Sequence, residues 1–281
     1  MLDMIIGMFQ LLFEQLNSVN NLMSLNAVVG GASQATILRT FINNVAVALQ
    51  PIGLVMLAMF AMIEFATLSE RVGNINGFMG TGLVIEVLIK IVLCKLVLDN
   101  SVNICNFLLS LGDKIEQAIG SQTISGVDFD QLKANISSAF PDWWDILGQI
   151  GFFIVSSIFL ILCCFCIMIV TIIFSARLIE ILVYTAVSPI PLSTCLSKHF
   201  NMAPNFIKTF LAVVLQGGLL LLLIKIFTVI FVSTINGLGT LSTGDWGALW
   251  GMLGSLLATS ILFLVCSFQT QRWAKSICHA M

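Results

Sequence analysis

From Ile146 to Ala176 the chain carries no charged side chain. Those 31 residues would extend roughly 46 Å as an α-helix, while the hydrocarbon core of a bilayer is about 30 Å thick. So long an apolar run does not suit the core of a soluble domain. Lipid admits only segments that satisfy their own backbone, which means helices or closed barrels. The apolar pattern continues past Arg177 and Glu180 to Val187, then stops at Ser188-Pro189-Ile190-Pro191. Residues 146–187 are therefore expected to form one long helix that crosses the membrane and projects beyond it or bends along its face.

Composition points the same way. Hydrophobic residues make up 58% of the 281 residues, charged residues 9%, and mean hydropathy is +1.05; soluble domains carry about 25% charge. A net charge of −2 offers no basic face to a nucleic acid. The expected fold class is an all-α integral membrane protein. It has about five transmembrane helices, an amphipathic N-terminal helix and the over-long central helix.

In chain order, residues 1–44 read as an amphipathic segment on the outer face. Leu2, Ile5, Ile6, Phe9, Leu12, Phe13 and Leu16 share one side; Asp3, Gln10, Glu14, Asn17 and Asn21 share the other. Such a helix lies in the membrane interface or packs on protein. Asp3 stands where a secretory signal would be basic, so no cleaved leader is expected. A second amphipathic piece, Gln34 to Leu49, leads into spans at Val45–Leu68 and Met79–Leu98, so 45–98 holds the first two. Residues 99–145 carry seven acidic against two basic side chains and read as an acidic outer loop. It contains a short amphipathic helix near Ile104–Ile119 and a helix start at Phe140-Pro141-Asp142-Trp143-Trp144. After the long helix come a Pro-containing inner segment at 188–208, two spans within 209–268 (Thr209–Ile235 and Ala248–Phe268), and a basic inner tail at 269–281.

Orientation follows from the distribution of Lys and Arg. With five spans, Arg177, Lys198, Lys208, Arg272 and Lys275 lie inside, the loops 99–145 and 236–247 lie outside, and the amino terminus is out with the carboxyl terminus in. If Ile179–Leu192 also crossed, Lys198, Lys208, Arg272 and Lys275 would all fall outside, against the rule.

A charge at mid-bilayer costs about 2.5–3.5 kcal/mol on insertion scales. Glu86 and Lys90 are four apart with Glu leading, the favourable order for a helical pair that neutralises itself. Lys225 has no acidic residue in its own span, so its partner is expected on another helix or subunit, with Glu64 and Glu86 the candidates. Glu64, Glu86, Lys90 and Lys225 are expected to face protein interior or a water-filled lumen. Gly247, Gly251, Ser255 and Thr259 recur every fourth residue in the last span, with Gly254 and Ala258 adjacent. That small-residue stripe permits close helix approach, within the chain or between subunits.

The eight cysteines show no C-x-x-C pair and no ligand spacing, and read as small apolar filler. No nucleotide loop, nucleophile elbow, zinc motif or haem motif occurs. Cys195 precedes His199 by four residues, but prolines lie nearby and a third catalytic partner is missing. No enzymatic activity, no metal and no cofactor are expected.

The plan of two spans, a polar central loop, a long third span, a Pro-containing inner segment, two more spans and an inner tail resembles the TrbL-like (VirB-six type) membrane subunit of type IV secretion and conjugal transfer systems. The stretch Tyr184-Thr185-Ala186-Val187-Ser188-Pro189-Ile190-Pro191-Leu192, with Ser188, Pro189 and Pro191 as its motif, resembles the apolar Pro-containing segment after that family's long span. The length is similar to compact forms on mobile elements of Gram-positive bacteria. The resemblance implies a homo-oligomeric component of the bacterial cytoplasmic (inner) membrane, at the base of a secretion channel. Its implied partners are further copies of itself, other type IV secretion membrane subunits, secretion ATPases and membrane phospholipids, and its cargo is DNA or protein. The rival class is a secondary transporter or ion channel coupling through Glu86, Lys90 and Lys225. Against it stands the lack of an internal repeat and of paired broken helices. A small membrane-anchored immunity or toxin-like protein would need fewer spans.

Overall fold

The computed structural model describes residues 32–72, 77–122, 146–196, 202–236 and 246–280, together with Gly7, Gln10, Leu11 and Glu14. The amphipathic helix expected over 1–24, the helix start at 140–144, Lys198, His199 and most of the 236–247 loop lie outside these residues. Among the described residues the chain is helical and holds no strand. In order the helices are α1 (Ala32–Val72), α2 (Gly77–Asp99), α3 (Ser101–Gly120), α4 (Ile146–Val187), α5 (Pro189–Leu192), α6 (Met202–Asn236) and α7 (Trp246–Ile277), with a 3₁₀ turn at Ser193–Leu196 between α5 and α6.

The long helix ends where the sequence says it must. Pro189 has no N–H to offer the Thr185 carbonyl four residues back. Ser188 takes that place: its hydroxyl donates to the Thr185 oxygen at 2.9 Å and its N–H at 3.4 Å. Pro51 behaves differently. It lies inside α1, which runs unbroken over 41 residues. The amphipathic piece expected at Gln34–Leu49 and the span expected from Val45 are thus one helix, and no boundary falls at residue 44. A proline costs one backbone bond and some strain, and a 41-residue helix has enough other bonds to hold it.

Within α1, α4, α6 and α7, the stretches Thr36–Glu70, Ile150–Val187, Met202–Ile235 and Trp250–Ile277 are long and apolar enough to cross a membrane. The fifth expected span, α2, is not among them; it carries Glu86, Lys90, Lys95 and Asp99 in 23 residues. The outward faces are those of a lipid-bathed protein. Met62 is 72% exposed, Ile161 66% and Val92 63%, and water would not tolerate apolar surface on that scale.

Contacts sort the chain into two units. One comprises Met1–Val28, Ile115–Ala176 and Gly217–Thr270; the other Val29–Lys114, Arg177–Gln216 and Gln271–Met281. The first unit is joined by aromatic packing: Phe159 stacks on Phe231 at 6.3 Å, and Phe227 reaches Phe263 at 4.6 Å. Ser260 on α7 meets Cys163 of α4, Oγ to Sγ, at 3.3 Å.

In the second unit α2 folds back along α1. The Gln50 amide donates to the Asp99 carboxylate at 3.4 Å, and Leu57, Cys94, Leu98 and Leu196 form a buried cluster. Gly53 lets α5 in: a Cβ there would stand 2.9 Å from the Pro189 carbonyl oxygen and 2.9 Å from Leu98 Cδ1. Thr194, in the 3₁₀ turn, accepts from the Ala203 N–H at 3.2 Å and donates to the Pro191 carbonyl at 2.8 Å. It caps the amino end of α6 from outside that helix. Thr194→Val keeps the shape and removes both bonds. The expected loss is about 1–2 kcal/mol, read as a lower melting temperature in detergent; Thr194→Ser should recover most of it. Melting of the valine variant at the wild-type temperature would discount the cap.

The amphipathic helix expected near Ile104–Ile119 is α3, and the side that carries Cys105, Leu108, Leu109 and Gly112 is packed. Cys105 sits in one cluster with Ile181, Phe210, Val213 and Val214, with the Ser188 side chain close to its thiol. Residues 99–145 are therefore not a single loop on the face opposite 188–208, as expected from their charge. The start of that stretch lies with Ser188. The acidic excess belongs to one side of α3 and to residues 121–145, while the other side of α3 is as apolar as a core helix.

Candidate functional site: polar groups within the spans

The Glu86–Lys90 salt bridge forms as the spacing dictates. It stands on the outer surface of α2, with the Glu86 side chain 58% and that of Lys90 34% exposed. Glu64 instead turns to the packed side of α1, the side that carries Ala46, Gly53 and Leu57. The Thr67 hydroxyl lies 2.9 Å from the Glu64 carbonyl and 3.4 Å from its carboxylate, so the shorter backbone contact takes the proton.

Lys225 meets a different kind of partner from the carboxylate expected. Its ammonium donates to the Gln122 carbonyl at 3.0 Å and to the Gly120 carbonyl at 3.4 Å. These belong to the end of α3 and the turn beyond it, where helix carbonyls lack N–H partners and carry the negative end of the helix dipole. A cation part-way along an apolar helix is thus neutralised by a helix terminus. That arrangement leaves no trace in residue types, because the acceptors are main-chain atoms.

The small-residue stripe of α7 points outward. Gly247, Gly251 and Ser255 are exposed and Thr259 half-buried, and a Cβ on Gly247, Gly251 or Gly254 would meet nothing within 4 Å. The helix packs instead through Met252, Leu253, Leu256, Ser260 and Phe263. Among the described residues this stripe packs against nothing within the chain, and the larger side chains one position on bury more surface and set the inward face. Ser255 and Thr259 donate to the Met252 and Leu256 carbonyls, so their hydroxyls are satisfied inside the helix.

Ser188, Pro189 and Pro191 come together at the α4–α5 corner. Ser188 and Pro189 are buried, and the Pro191 carbonyl accepts from Thr194. All eight cysteines are free thiols. Among the described residues no three His, Cys, Asp or Glu side chains gather as a metal site would require.

Two packing roles were not read from the sequence. Arg177 is only 5% exposed, with Nε donating to the Val213 carbonyl and Nη2 to the Val214 carbonyl, both at 2.9 Å. Gly112 sits against Val214, where a Cβ would overlap Cγ1. Each had a signal: a charge inside a helix that stays apolar on both sides of it, and a lone glycine on the apolar side of an amphipathic helix.

Residues 30–189 match the family of TrbL/VirB6 plasmid conjugal transfer like proteins. The match runs from just before α1 to the Ser188-Pro189 step and spans more than half of the chain. The protein belongs to this family. No curated protein and no solved structure matches it. Membership makes it a component of conjugal transfer and type IV secretion systems, and with its four long apolar helices it is a multi-pass membrane protein. The matched stretch takes in the α1–α2 hairpin, the packed helix α3 and the whole of α4. The Lys225 contact and the outward stripe of α7 belong to the part beyond it.

Proposed function

We propose that this TrbL/VirB6 family member is a non-catalytic, homo-oligomeric scaffold at the base of a conjugative channel in the bacterial inner membrane. It helps DNA or protein cross by holding other secretion subunits and ATPases around the passage, with phospholipid filling gaps between copies. The family match carries this reading. Self-association is supported by the outward stripe Gly247, Gly251, Ser255 and Thr259, which lets a neighbouring helix approach closely. The secondary-transporter reading loses support, since Lys225 is held by helix carbonyls and Glu86 by Lys90.

Orientation follows from charge. The unit made of 29–114, 177–216 and 271–281 holds ten of the twelve Lys and Arg residues, against six acidic ones. By the positive-inside rule the segments of this unit that carry Arg177, Lys198, Lys208, Arg272 and Lys275, the carboxyl terminus among them, face the cytoplasm. Gln50 and Asp99 then sit on that side too. The outer placement expected for the amino-terminal segment does not extend to this part of α1.

Gly251→Leu tests the reading. The side chain has open space at its base, so the monomer should melt as wild type. Oligomers in native-lipid particles should dissociate, and conjugal transfer should fall on the order of tenfold or more, the equivalent of about 1.4 kcal/mol of lost association. Single copies of the wild-type protein in such particles, together with undiminished transfer by the variant, would overturn it.

A further inference from the structure

The open surface of α3 divides lengthwise into two sectors. One is polar: Asn103, Asn106, Ser110, Asp113, Lys114 and Gln117, all exposed. The other is apolar: Phe107 is 63% exposed, Ile115 41% and Leu111 37%. The third side meets α6 within each of the two units. Cys105 clusters with Phe210, Gly112 touches Val214, Ile115 lies beneath Gly218, and the α3 carboxyl end is held by Lys225. All these α6 residues lie inside Met202–Ile235, a stretch apolar enough to cross the membrane.

A helix beside a span cannot turn Asp113 and Lys114 to lipid. They are adjacent in sequence, so they project in different directions and cannot pair within the helix. Glu86–Lys90 is the salt bridge formed among the described residues. The hydroxyl of Ser110 is already given to the Phe107 carbonyl, so the stripe needs a solvent for its charges more than a partner for its hydroxyl. We propose that the polar stripe of α3 lines a water-filled passage at membrane depth, with the Phe107–Leu111 flank facing the surrounding apolar phase. The stripe carries one charge of each sign, so it presents a hydrated, nearly neutral wall. The assignment deepens the channel-subunit reading and rests on it only for what passes along the wall.

The test is peptide-resolved thiol modification of the full chain in its native membrane. Asn106→Cys, Ser110→Cys and Gln117→Cys are compared with Phe107→Cys and Leu111→Cys, using a charged and a lipid-soluble reagent. Two native cysteines serve as standards: Cys164, exposed on the charge-free part of α4, and Cys105, buried on α3 itself. The stripe positions should take the charged reagent about a hundredfold faster than Cys164, Phe107→Cys and Leu111→Cys, reflecting the cost of a charge in lipid. Cys105 should stay protected, showing that α3 remains seated. The proposal fails if the stripe reacts no faster than Cys164. It also fails if the Phe107 and Leu111 variants match the stripe, since α3 would then lie outside the bilayer. Transfer of cargo is not the readout, so the channel role stands or falls separately.

Discussion

Gly112→Leu should leave little folded protein in the membrane. A Cβ at this position already overlaps Val214 Cγ1, far inside van der Waals contact, and leucine adds three carbons beyond it. Val214 cannot step aside. It is buried in the cluster with Phe210 and Val213, and a β-branched side chain in a helix has essentially one rotamer. Gly112→Ala is the more telling variant, because two effects oppose each other. Alanine favours a helix interior over glycine by about 0.8–1.0 kcal/mol, while forced overpacking costs about 1–3 kcal/mol. The clash should win, and melting in detergent should fall by a few degrees, at about 2–4 °C per kcal/mol for a chain of this size. Gly82→Ala, where a Cβ meets nothing within 4 Å, should show the propensity gain alone. Adding Val214→Ala to Gly112→Ala removes the offending atom and should restore most of the loss. A Gly112→Leu protein that melts at the wild-type temperature would mean that α3 does not lie on α6.

Those positions also mark where sequence stopped being informative. The limits of α4, Ile146 and Val187, were legible because uncharged length and a proline are both local signals. The Glu86–Lys90 pair was legible for the same reason: its geometry lies within one helix. What sequence concealed is non-local. The average charge of 99–145 hid the apolar side of α3, so an acidic label displaced a helix that packs on α6. Lys225 plainly needed a partner, yet the partner is a pair of carbonyls that any residues could supply. The α7 stripe showed that a close approach was possible but not on which side, since small residues permit packing without compelling it. Pro51 warned of a break that α1 does not make, because the loss of one backbone bond is small beside those the rest of the helix retains.

Arg177→Ala should lower stability by about 3–5 kcal/mol, since it removes two hydrogen bonds made by a charged group. That corresponds to a fall in melting temperature on the order of 10 °C. The sequence counted Arg177 among the cytoplasmic charges that orient the chain, but a side chain 5% exposed is no free surface charge. Its two bonds, from Nε to Val213 and from Nη2 to Val214, tie the distal part of α4 to the first half of α6. A bond to a charged group contributes about 1.5–3 kcal/mol. The fork matters as well as the charge. Consecutive carbonyls on one helix are matched by the fixed spacing of Nε and Nη2, whereas an ammonium is a point donor. Arg177→Lys should therefore fall between wild type and alanine while still bearing the cost of a buried charge. Arg177→Met fills the volume without that cost and should lose less than Arg177→Ala. The order wild type, then methionine and lysine, then alanine separates a buried brace from an orienting surface charge. A surface charge would leave all three variants melting together, within about 2 °C of wild type.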